Sequence, residues 1–448
     1  MAIIPQKNLF SWENVDAESD LKRLEYVMDY IDDERLMTLL EKRRGRGRND
    51  YPVRAVWNCF LAMKVFSHET ISSLIRELRR NGELRCAVGL DPFGGASAVP
   101  AEYVFSRFFK LLAQFSDEVE RIFDGLVDDL DGLLPDFGSE MACDSKAINS
   151  FARRKIKRSN GDARSELDAD VGVKSYDVTF SNGKKFRNEK RWFGFKAHIL
   201  ADAKYELPVA YKITRASVND SPELLKLIEK TNVRHPEIVD KCEYLSADKG
   251  YDSAENNRVL FDEYEIKPVI DIRDMWRDGE GTRLVDPQRA GNIVYNHRGD
   301  IFCICPLTGE MRSMACCGYE KDRQRLKYRC PAAVYGLDCK GRRFCKGSAS
   351  EYGRTVRVPL ELDRRLFVPL PRSTYKWKKQ YNKRSSVERV NSRLDVSFGF
   401  EHHTIRGLKK MELCLGISLV VMLAMAVGSI KAGNKNTMRS LFQRLKAA

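Results

Sequence analysis

The segment from Leu413 to Ile430 contains eighteen residues without a charged side chain, so it has to be buried in a membrane or in a protein core. Eighteen residues is about the lower limit for a membrane-spanning helix. The segment contains Gly416, Ser418 and Gly428, and it is the only stretch of its kind in the sequence. We therefore predict a buried C-terminal helix that packs on a sheet, and a membrane protein is the weakest interpretation.

Positive charge dominates the composition. Lysine and arginine number 77 against 63 aspartate and glutamate residues, which gives a formal net charge of +14 in a chain of 448 residues. Such an excess favours a polyanionic partner, either nucleic acid or an anionic membrane surface. The basic run from Lys376 to Arg384 is interleaved with Trp377 and Tyr381. Any single basic run could be solvated surface, but several runs together with aromatic rings favour DNA.

The N-terminus and the cysteine content bear on the cellular compartment. No charged segment followed by an apolar one is visible at the N-terminus, so a secretory signal is not expected. We predict a cytoplasmic, nucleoid-associated protein. Its twelve cysteines are then reduced thiols or metal ligands rather than disulfides.

Hydrophobic periodicity divides the chain into five parts. Residues 1–125 carry apolar side chains at helical spacing and are predicted to form a helical N-terminal domain that binds DNA. From about residue 135 short apolar runs typical of strands appear, so 135–273 is predicted to be the first part of a mixed α/β core. Residues 274–371 hold seven of the twelve cysteines and interrupt this pattern as an inserted module. Helical pattern resumes over 372–432, and 433–448 is a basic tail.

Local signals predict where some elements begin. Ser67 is placed to cap a helix from His68 to Arg80, and Ser221 with Pro222 is placed to open another. The residues from Arg153 to Arg191 are polar and basic without a clear period. No element is predicted there.

Two acids end apolar, strand-like runs. Asp144 follows Met141-Ala142-Cys143, and Asp248 follows Tyr244 to Ala247. Cleavage of a phosphodiester needs an activated oxygen nucleophile and positive charge, and a pair of Mg²⁺ ions held by carboxylates supplies both. Taken singly, each acid could be an ordinary turn residue. Together they are candidate metal ligands.

A third acid lies near the C-terminus. In the segment Tyr381 to Glu388 the residues Tyr381, Arg384 and Glu388 are spaced three and four apart, which predicts one face of a single helix. An acid beside an arginine and a tyrosine suits a metal ligand whose neighbours bind phosphate. The alternative is a surface ion pair between Arg384 and Glu388 worth a few tenths of a kcal/mol.

At these residues the chain resembles the DDE transposases of bacterial insertion sequences. The most specific match is the second-acid motif, Ala247-Asp248-Lys249-Gly250-Tyr251-Asp252. The first-acid motif is matched by Cys143 to Lys146, and the following hairpin and turn by Gly194 to His198 and Ala216 to Ser221. Tyr381, Arg384 and Glu388 match the start of the family's Tyr–Arg–Glu–Lys signature.

The resemblance implies an RNase H-like catalytic core with a helical N-terminal domain and a cysteine-rich insertion. Asp144, Asp248 and Glu388 would be the catalytic acids and would bind Mg²⁺ or Mn²⁺. Tyr381, Arg384 and Lys383 would contact DNA. The partners implied are the terminal repeats of the element and target DNA, with a homodimer acting on DNA.

The match departs from the signature at one position. The lysine expected seven residues after Glu388 is Asp395, and the nearby Arg393 falls on another helical face. This departure leaves the phosphate-binding lysine unassigned. A nuclease with the same core but no strand transfer, and a decayed transposase that only binds DNA, are the competing interpretations.

The cysteines of the insertion could hold a structural zinc ion. Cys305, Cys330, Cys339 and Cys345 are the four candidate ligands, and His297 could replace one of them. No Cys-x-x-Cys pair is present, so unligated reduced thiols are an equal alternative.

Overall fold

The computed structural model describes residues 19–46, 50–152, 166–179, 185–288, 291–345 and 351–440. The basic run Arg153 to Lys155 and the last eight residues of the predicted tail lie outside the described residues.

Seven helices form the N-terminal part of the described chain. They are α1 (Ser19–Tyr30), α2 (Glu34–Arg44), α3 (Val53–Val65), α4 (Ile71–Arg80), α5 (Gly82–Val88), α6 (Glu102–Leu112) and α7 (Ser116–Leu133). The predicted helix Val53 to Val65 is confirmed with the same bounds. The predicted cap at Ser67 is wrong. Thr70 caps α4 by accepting from the backbone N–H of Ser73, and Ser67 has a φ of 55°.

The central sheet has an antiparallel half and a parallel half. Its strands are β1 (Glu140–Asn149), β2 (Asp170–Thr179), β3 (Lys185–Asp202), β4 (Pro208–Arg215), β5 (Tyr244–Ala247) and β6 (Lys267–Ile270). The order across the core is β4-β3-β1-β5-β6, in which β1 is antiparallel to β3 and parallel to β5. This mixed sheet with flanking helices is the RNase H-like core that the sequence implied.

A hairpin extends the sheet where no element was predicted. The first half of β3 pairs with β2, and its second half pairs with β1 and β4. The outer part of this hairpin leaves Val173 and Phe186 more than half exposed. Because the side chains described there are exposed on both faces, the alternation that identifies a strand is missing from the sequence.

Three helices follow the antiparallel half. They are α8 (Asp220–Arg234), α9 (Pro236–Asp240) and α10 (Ala254–Asp262). The helix predicted at Ser221 is present, but Asn219 caps it and Asp220 is its first residue. The predicted Ser–Pro cap is therefore wrong by two residues.

The cysteine-rich region folds into two small antiparallel sheets. One contains β7 (Arg283–Leu284), β8 (Ile293–Tyr295), β9 (Ile301–Ile304) and β10 (Met311–Ser313). The other contains β11 (Ala315–Glu320), β12 (Arg325–Arg329) and β13 (Thr355–Pro359), with the short helix α11 (Pro331–Tyr335) between its last two strands. Their apolar residues form a cluster separate from the main core.

The chain returns to the core through α12 (Tyr375–Asn382), α13 (Ser385–Phe398) and α14 (Leu408–Lys431). Helix α13 packs on β1 and β3, and α14 packs on α7, α1 and β4. Helix α14 is long and apolar enough to cross a membrane, but 94% of its most apolar window is buried inside the protein. The predicted buried C-terminal helix is confirmed.

Candidate active site

Strand register brings the first two acids together. Strands β1 and β5 are parallel neighbours in which Cys143 pairs with Ala247, so Asp144 and Asp248 follow at adjacent positions. Neighbouring strands lie about 4.8 Å apart. The two carboxylates are near enough for Asp248 to affect the ionisation of Asp144.

The loop that carries Asp248 is held by two arginines. Arg273 donates from Nε to the carbonyl of Lys249 (2.7 Å) and from Nη2 to that of Gly250 (2.7 Å). Asp252, whose side chain is fully buried, accepts from Arg365 Nη1 at 2.9 Å. Arg365 lies after the two small sheets, so the end of the cysteine-rich region fixes the loop of the second acid.

Asp144 has an unusual electrostatic environment. Burial, with a smaller contribution from Asp248, raises the pKa of its carboxyl to about 6, whereas Lys174 and Arg384 act in the opposite direction. Asn391 of α13 donates from Nδ2 to Asp144 Oδ2 at 3.3 Å. A half-buried carboxylate short of cationic partners is suited to binding a cation.

Glu388 is in the first turn of α13, on the helix that packs against β1. Its carboxylate forms an ion pair with Arg384 Nη1 at 2.7 Å, and its side chain is 50% exposed. Arg384 also lies close enough to Asp144 to lower that residue's pKa. The arginine is therefore near both the first and the third acid.

The single helix predicted from Tyr381 to Glu388 is wrong. Helix α12 ends at Asn382 and α13 begins at Ser385, with Arg384 as its N-cap. The three signature residues still meet, since the Arg384 guanidinium is 5.7 Å from the Tyr381 ring centroid. The interhelical break, rather than a shared helical face, brings them together.

The three acids do not form a closed cluster in this conformation. Among the described residues, the one trio of ligand atoms within 4.8 Å of one another is Asp128, His235 and Glu237, at the surface between α7 and α9. Asp144, Asp248 and Glu388 border one region, and Arg384 occupies the position next to Glu388. A metal ion bound by all three requires their carboxylate oxygens to lie closer together than in this conformation.

Comparison with known proteins identifies the chain by its sequence pattern. The family model described as the transposase DDE domain matches residues 172–423, which is more than half of the 448 residues. The chain belongs to the DDE transposase family. The matched segment includes Asp248 and Glu388 and begins after Asp144, whose position rests on the strand register described above.

One solved structure also aligns with this DDE transposase family member. It is a piggyBac transposase synaptic complex with hairpin DNA, at 11% identity over 95% of this chain and 80% of that chain. The TM-score of this alignment is 0.39. No curated protein matches the sequence significantly.

Two polar partners of the site were missed in the sequence. Asp220 accepts from Lys196 Nζ (2.8 Å) and from the hydroxyl of Ser145 (2.9 Å), next to Asp144. Lys146, two residues after Asp144 on β1, forms an ion pair with Asp395 of α13. Since Asp395 stands where the family signature has lysine, a lysine is present at this point but comes from β1.

The predicted DNA-contacting residues differ in their engagement. Tyr381 stacks on Trp377, with ring centroids 4.7 Å apart, and is half-buried. Lys383 forms an ion pair with Glu140 at the start of β1. Tyr375 is 82% exposed at the start of α12. The segment from Tyr375 to Lys383 therefore contains side chains that contact other parts of the protein and side chains that are exposed to solvent.

The cysteines of the insertion converge on one small cavity. Cys305, Cys330, Cys339 and Cys345 line a space of about 50 Å³ together with Cys303, which the sequence prediction did not include. Hydrogen bonds from Thr308 lower the pKa of the Cys305 thiol to about 7. Burial, followed by the neighbouring thiols, raises the pKa of Cys303 to about 11.

Proposed function

We propose that this chain nicks DNA at the ends of an insertion element and joins the freed 3′-hydroxyl to target DNA. The observation that carries this proposal is that Asp144, within β1, and Asp248, directly after the parallel strand β5, are neighbours across the sheet, with Glu388 on the helix that packs beside them. Family membership gives the reaction class. The net charge of +14 suits a DNA substrate.

The residues present fit a divalent cation. Asp144, Asp248 and Glu388 offer hard oxygen donors, which Mg²⁺ and Mn²⁺ prefer. When bound, a pair of such ions supplies an activated oxygen nucleophile and balances the charge that develops on the phosphate. Asn391 orients the Asp144 carboxylate, and the loop anchored by Arg273 and Arg365 fixes Asp248.

Arg384 controls whether Glu388 is available. In the conformation observed, Glu388 is paired with Arg384, and the three acids do not lie within 4.8 Å of one another. A phosphate of the DNA end is a competing acceptor for the guanidinium, because the planar fork binds phosphate through two hydrogen bonds. We propose that DNA binding draws Arg384 to phosphate and releases Glu388 to complete the site.

Lys146 takes the place of the signature lysine. It lies two residues from Asp144, and alternate residues of a strand face the same side of the sheet. Asp395 holds the lysine from α13, one helical turn beyond Asn391. We propose that Lys146 is the phosphate-binding cation and that Asp395 positions it.

A product analysis tests the reaction. The full chain is incubated with labelled DNA that carries the element end, together with a plasmid target, with Mg²⁺ or with EDTA. The expected result is a nick at the element boundary and covalent transfer of the labelled end into the plasmid, both absent in EDTA. Nicking without transfer would support the nuclease, and binding without either product would support a decayed transposase.

We further propose that the cysteine cavity holds one structural zinc ion. The five thiols are donors of the right kind, and the Arg312 and Arg354 side chains beside them favour thiolates. No three sulfur atoms in the described part of the insertion lie within 4.8 Å of one another, so binding requires the loops to contract. Elemental analysis of protein purified without added metal is expected to find one zinc per chain. A content near zero would leave the cysteines as unligated thiols.

Two copies of the chain are proposed to act together, because transposition joins two element ends in one reaction. Light scattering of the complex with end DNA is expected to give two chains per assembly. One chain per DNA end without pairing would contradict this.

A further inference from the structure

A second cavity lies between the N-terminal helices and the end of the catalytic core. Its volume is about 470 Å³, within the range of sites that bind small molecules. It is bordered by α3, α4 and α6 on one side and by the segment from Phe398 to Ile417 on the other. None of the catalytic acids lines it.

The wall of this cavity contains a buried cation with no acidic partner. Lys64 of α3 is 8% exposed, and its ammonium donates to the thiol of Cys414 at 3.3 Å. It also lies 5.4 Å from the centroid of the Phe400 ring. None of the ion pairs among the described residues includes Lys64. A buried ammonium is costly unless an anion compensates it, so this side chain indicates an anionic ligand.

Two further features of the cavity favour an anion. Helix α4 begins at its wall, with Thr70 as N-cap. The first-turn N–H groups of Ile71 and Ser72 have no acceptor within the helix, and the helix dipole favours negative charge there. Arg406 contributes a second cation at the mouth. The acids at the rim, Glu69 and Glu102, are exposed and do not contact Lys64.

Aromatic rings form another part of the wall. Phe151 is 51% exposed, and the Arg406 guanidinium lies 5.3 Å from the centroid of its ring. Phe109 of α6 also lines the cavity, is half-buried and stacks on Phe60 with ring centroids 5.5 Å apart. Bases stack on exposed aromatic rings with little dependence on their sequence.

We propose that this cavity binds a nucleoside phosphate, with the phosphate near Lys64 and the start of α4 and the base against Phe151 and Phe109. The ligand is either a free mononucleotide or one nucleotide of a bound DNA strand. The second source rests on the proposed function. Helix α13 carries Glu388 in its first turn and ends at Phe398 in the cavity wall, and the ten residues between them span about 15 Å. That separation suits a nucleotide a few positions from the cleaved bond.

Calorimetry on the full chain tests the site with dAMP, deoxyadenosine, inorganic phosphate and a ten-nucleotide single strand. The variants are Lys64→Met, which keeps the length of the side chain without its charge, and Arg406→Ala. Lys409→Ala removes an exposed lysine of α14 that is not part of the cavity wall, and serves as the matched control. Thermal unfolding of each variant establishes that it is folded. If Lys64→Met does not fold, the effect of Arg406→Ala on dAMP binding decides the outcome.

One dAMP per chain is expected, bound more tightly than deoxyadenosine or phosphate. Lys64→Met should weaken binding at least about tenfold, and Lys409→Ala should leave it unchanged. If the natural ligand is part of a DNA strand, the oligonucleotide competes with dAMP, and its binding is weakened by Lys64→Met to the same extent. If the natural ligand is a free nucleotide, the oligonucleotide does not compete with dAMP. The proposal would be overturned if deoxyadenosine and dAMP bound equally well. It would also be overturned if no cavity variant changed the affinity for dAMP or for the oligonucleotide.

The experiment separates this site from the catalytic one. Asp144→Asn should abolish DNA cleavage and leave dAMP binding intact, because Asp144 is not part of the cavity wall. A wild-type chain that cleaves end DNA but does not bind dAMP would overturn the inference alone. A wild-type chain that binds dAMP but does not cleave end DNA would overturn the proposed function alone.

Discussion

The catalytic acids and the cysteines of the insertion are positioned by different means. Asp144 does not end its strand as predicted but lies within β1, and Asp248 directly follows β5, so the register of these neighbouring strands places the two acids side by side. The thiols lie in loops and short elements around one cavity and depend on those segments packing correctly. We expect the acids to be replaceable without loss of structure, and the thiols to matter mainly for structure.

One contact couples the two regions. Arg365, which follows the small sheets of the insertion, binds the buried Asp252 of the loop that carries Asp248. Through this contact, the folding of the insertion can affect the position of Asp248. The contrast between the two regions fails if replacing the acids unfolds the protein or if replacing the thiols impairs only catalysis. It is sharpened if replacing Arg365 impairs cleavage through the loop of Asp248.

The largest effect is expected from the thiols. Cys330→Ser with Cys339→Ser removes two ligands of the proposed zinc site, and apparent zinc-binding free energies in small domains exceed about 10 kcal/mol. We expect the free energy of unfolding of the insertion to fall by more than about 5 kcal/mol, measured by denaturant titration. Cys86→Ser, an exposed cysteine outside the insertion, is the control. Equal stability of the double variant and the control would contradict the zinc proposal.

Arg365→Ala tests the connection. Removing one partner of a buried ion pair leaves Asp252 uncompensated and is expected to cost roughly 3–5 kcal/mol. Cleavage should fall further than stability explains, because the loop of Asp248 loses an anchor. Arg258→Ala, which removes exposed ion pairs on α10, should change stability by less than about 1 kcal/mol. If both variants cleave equally well under conditions where both are folded, the insertion does not position the second acid.

Asp144→Asn is expected to stabilise the metal-free protein. The folded pKa of about 6 lies above the ordinary value near 4, so burying the charged carboxylate opposes folding. This cost is absent below pH of about 4, grows up to about 6 and is complete above it. We expect a gain of about 1–3 kcal/mol at pH 7.5 that disappears at pH 4, measured by urea unfolding in EDTA. A loss of stability at pH 7.5 would mean that Asp144 is structural.

The smallest effect concerns the cation beside the acids. Lys146→Met should reduce the salt dependence of end-DNA binding by about one unit of slope, because one phosphate contact is lost. The swap Lys146→Asp with Asp395→Lys keeps an ion pair and moves the lysine to the signature position. This double variant should have the stability and the salt dependence of DNA binding of the wild-type chain. An unchanged salt dependence in Lys146→Met would leave the pair as a structural contact.

The sequence predicted what local patterns determine. An apolar run that ends in an acid located Asp144 and Asp248, and an uncharged segment located α14. The pair between Lys146 and Asp395 joins residues 249 positions apart, so no local spacing reveals it. The break before Arg384 was missed because no glycine or proline marks it in the sequence. The cap at Thr70 instead of Ser67 depends on a residue with positive φ, which the sequence did not indicate.

Cleavage of end DNA by variants of the three acids tests the central claim most directly. Asp144→Asn, Asp248→Asn and Glu388→Gln keep the shape of each side chain and remove the anionic ligand. Asp240→Asn, at the exposed end of α9, is the matched control. The expected result is a cleavage rate in Mg²⁺ reduced on the order of 100-fold or more for each of the three, with DNA binding retained and the control at wild-type rate. Near-normal cleavage by any one of the three would remove that acid from the site, and equal loss in the control would contradict the assignment.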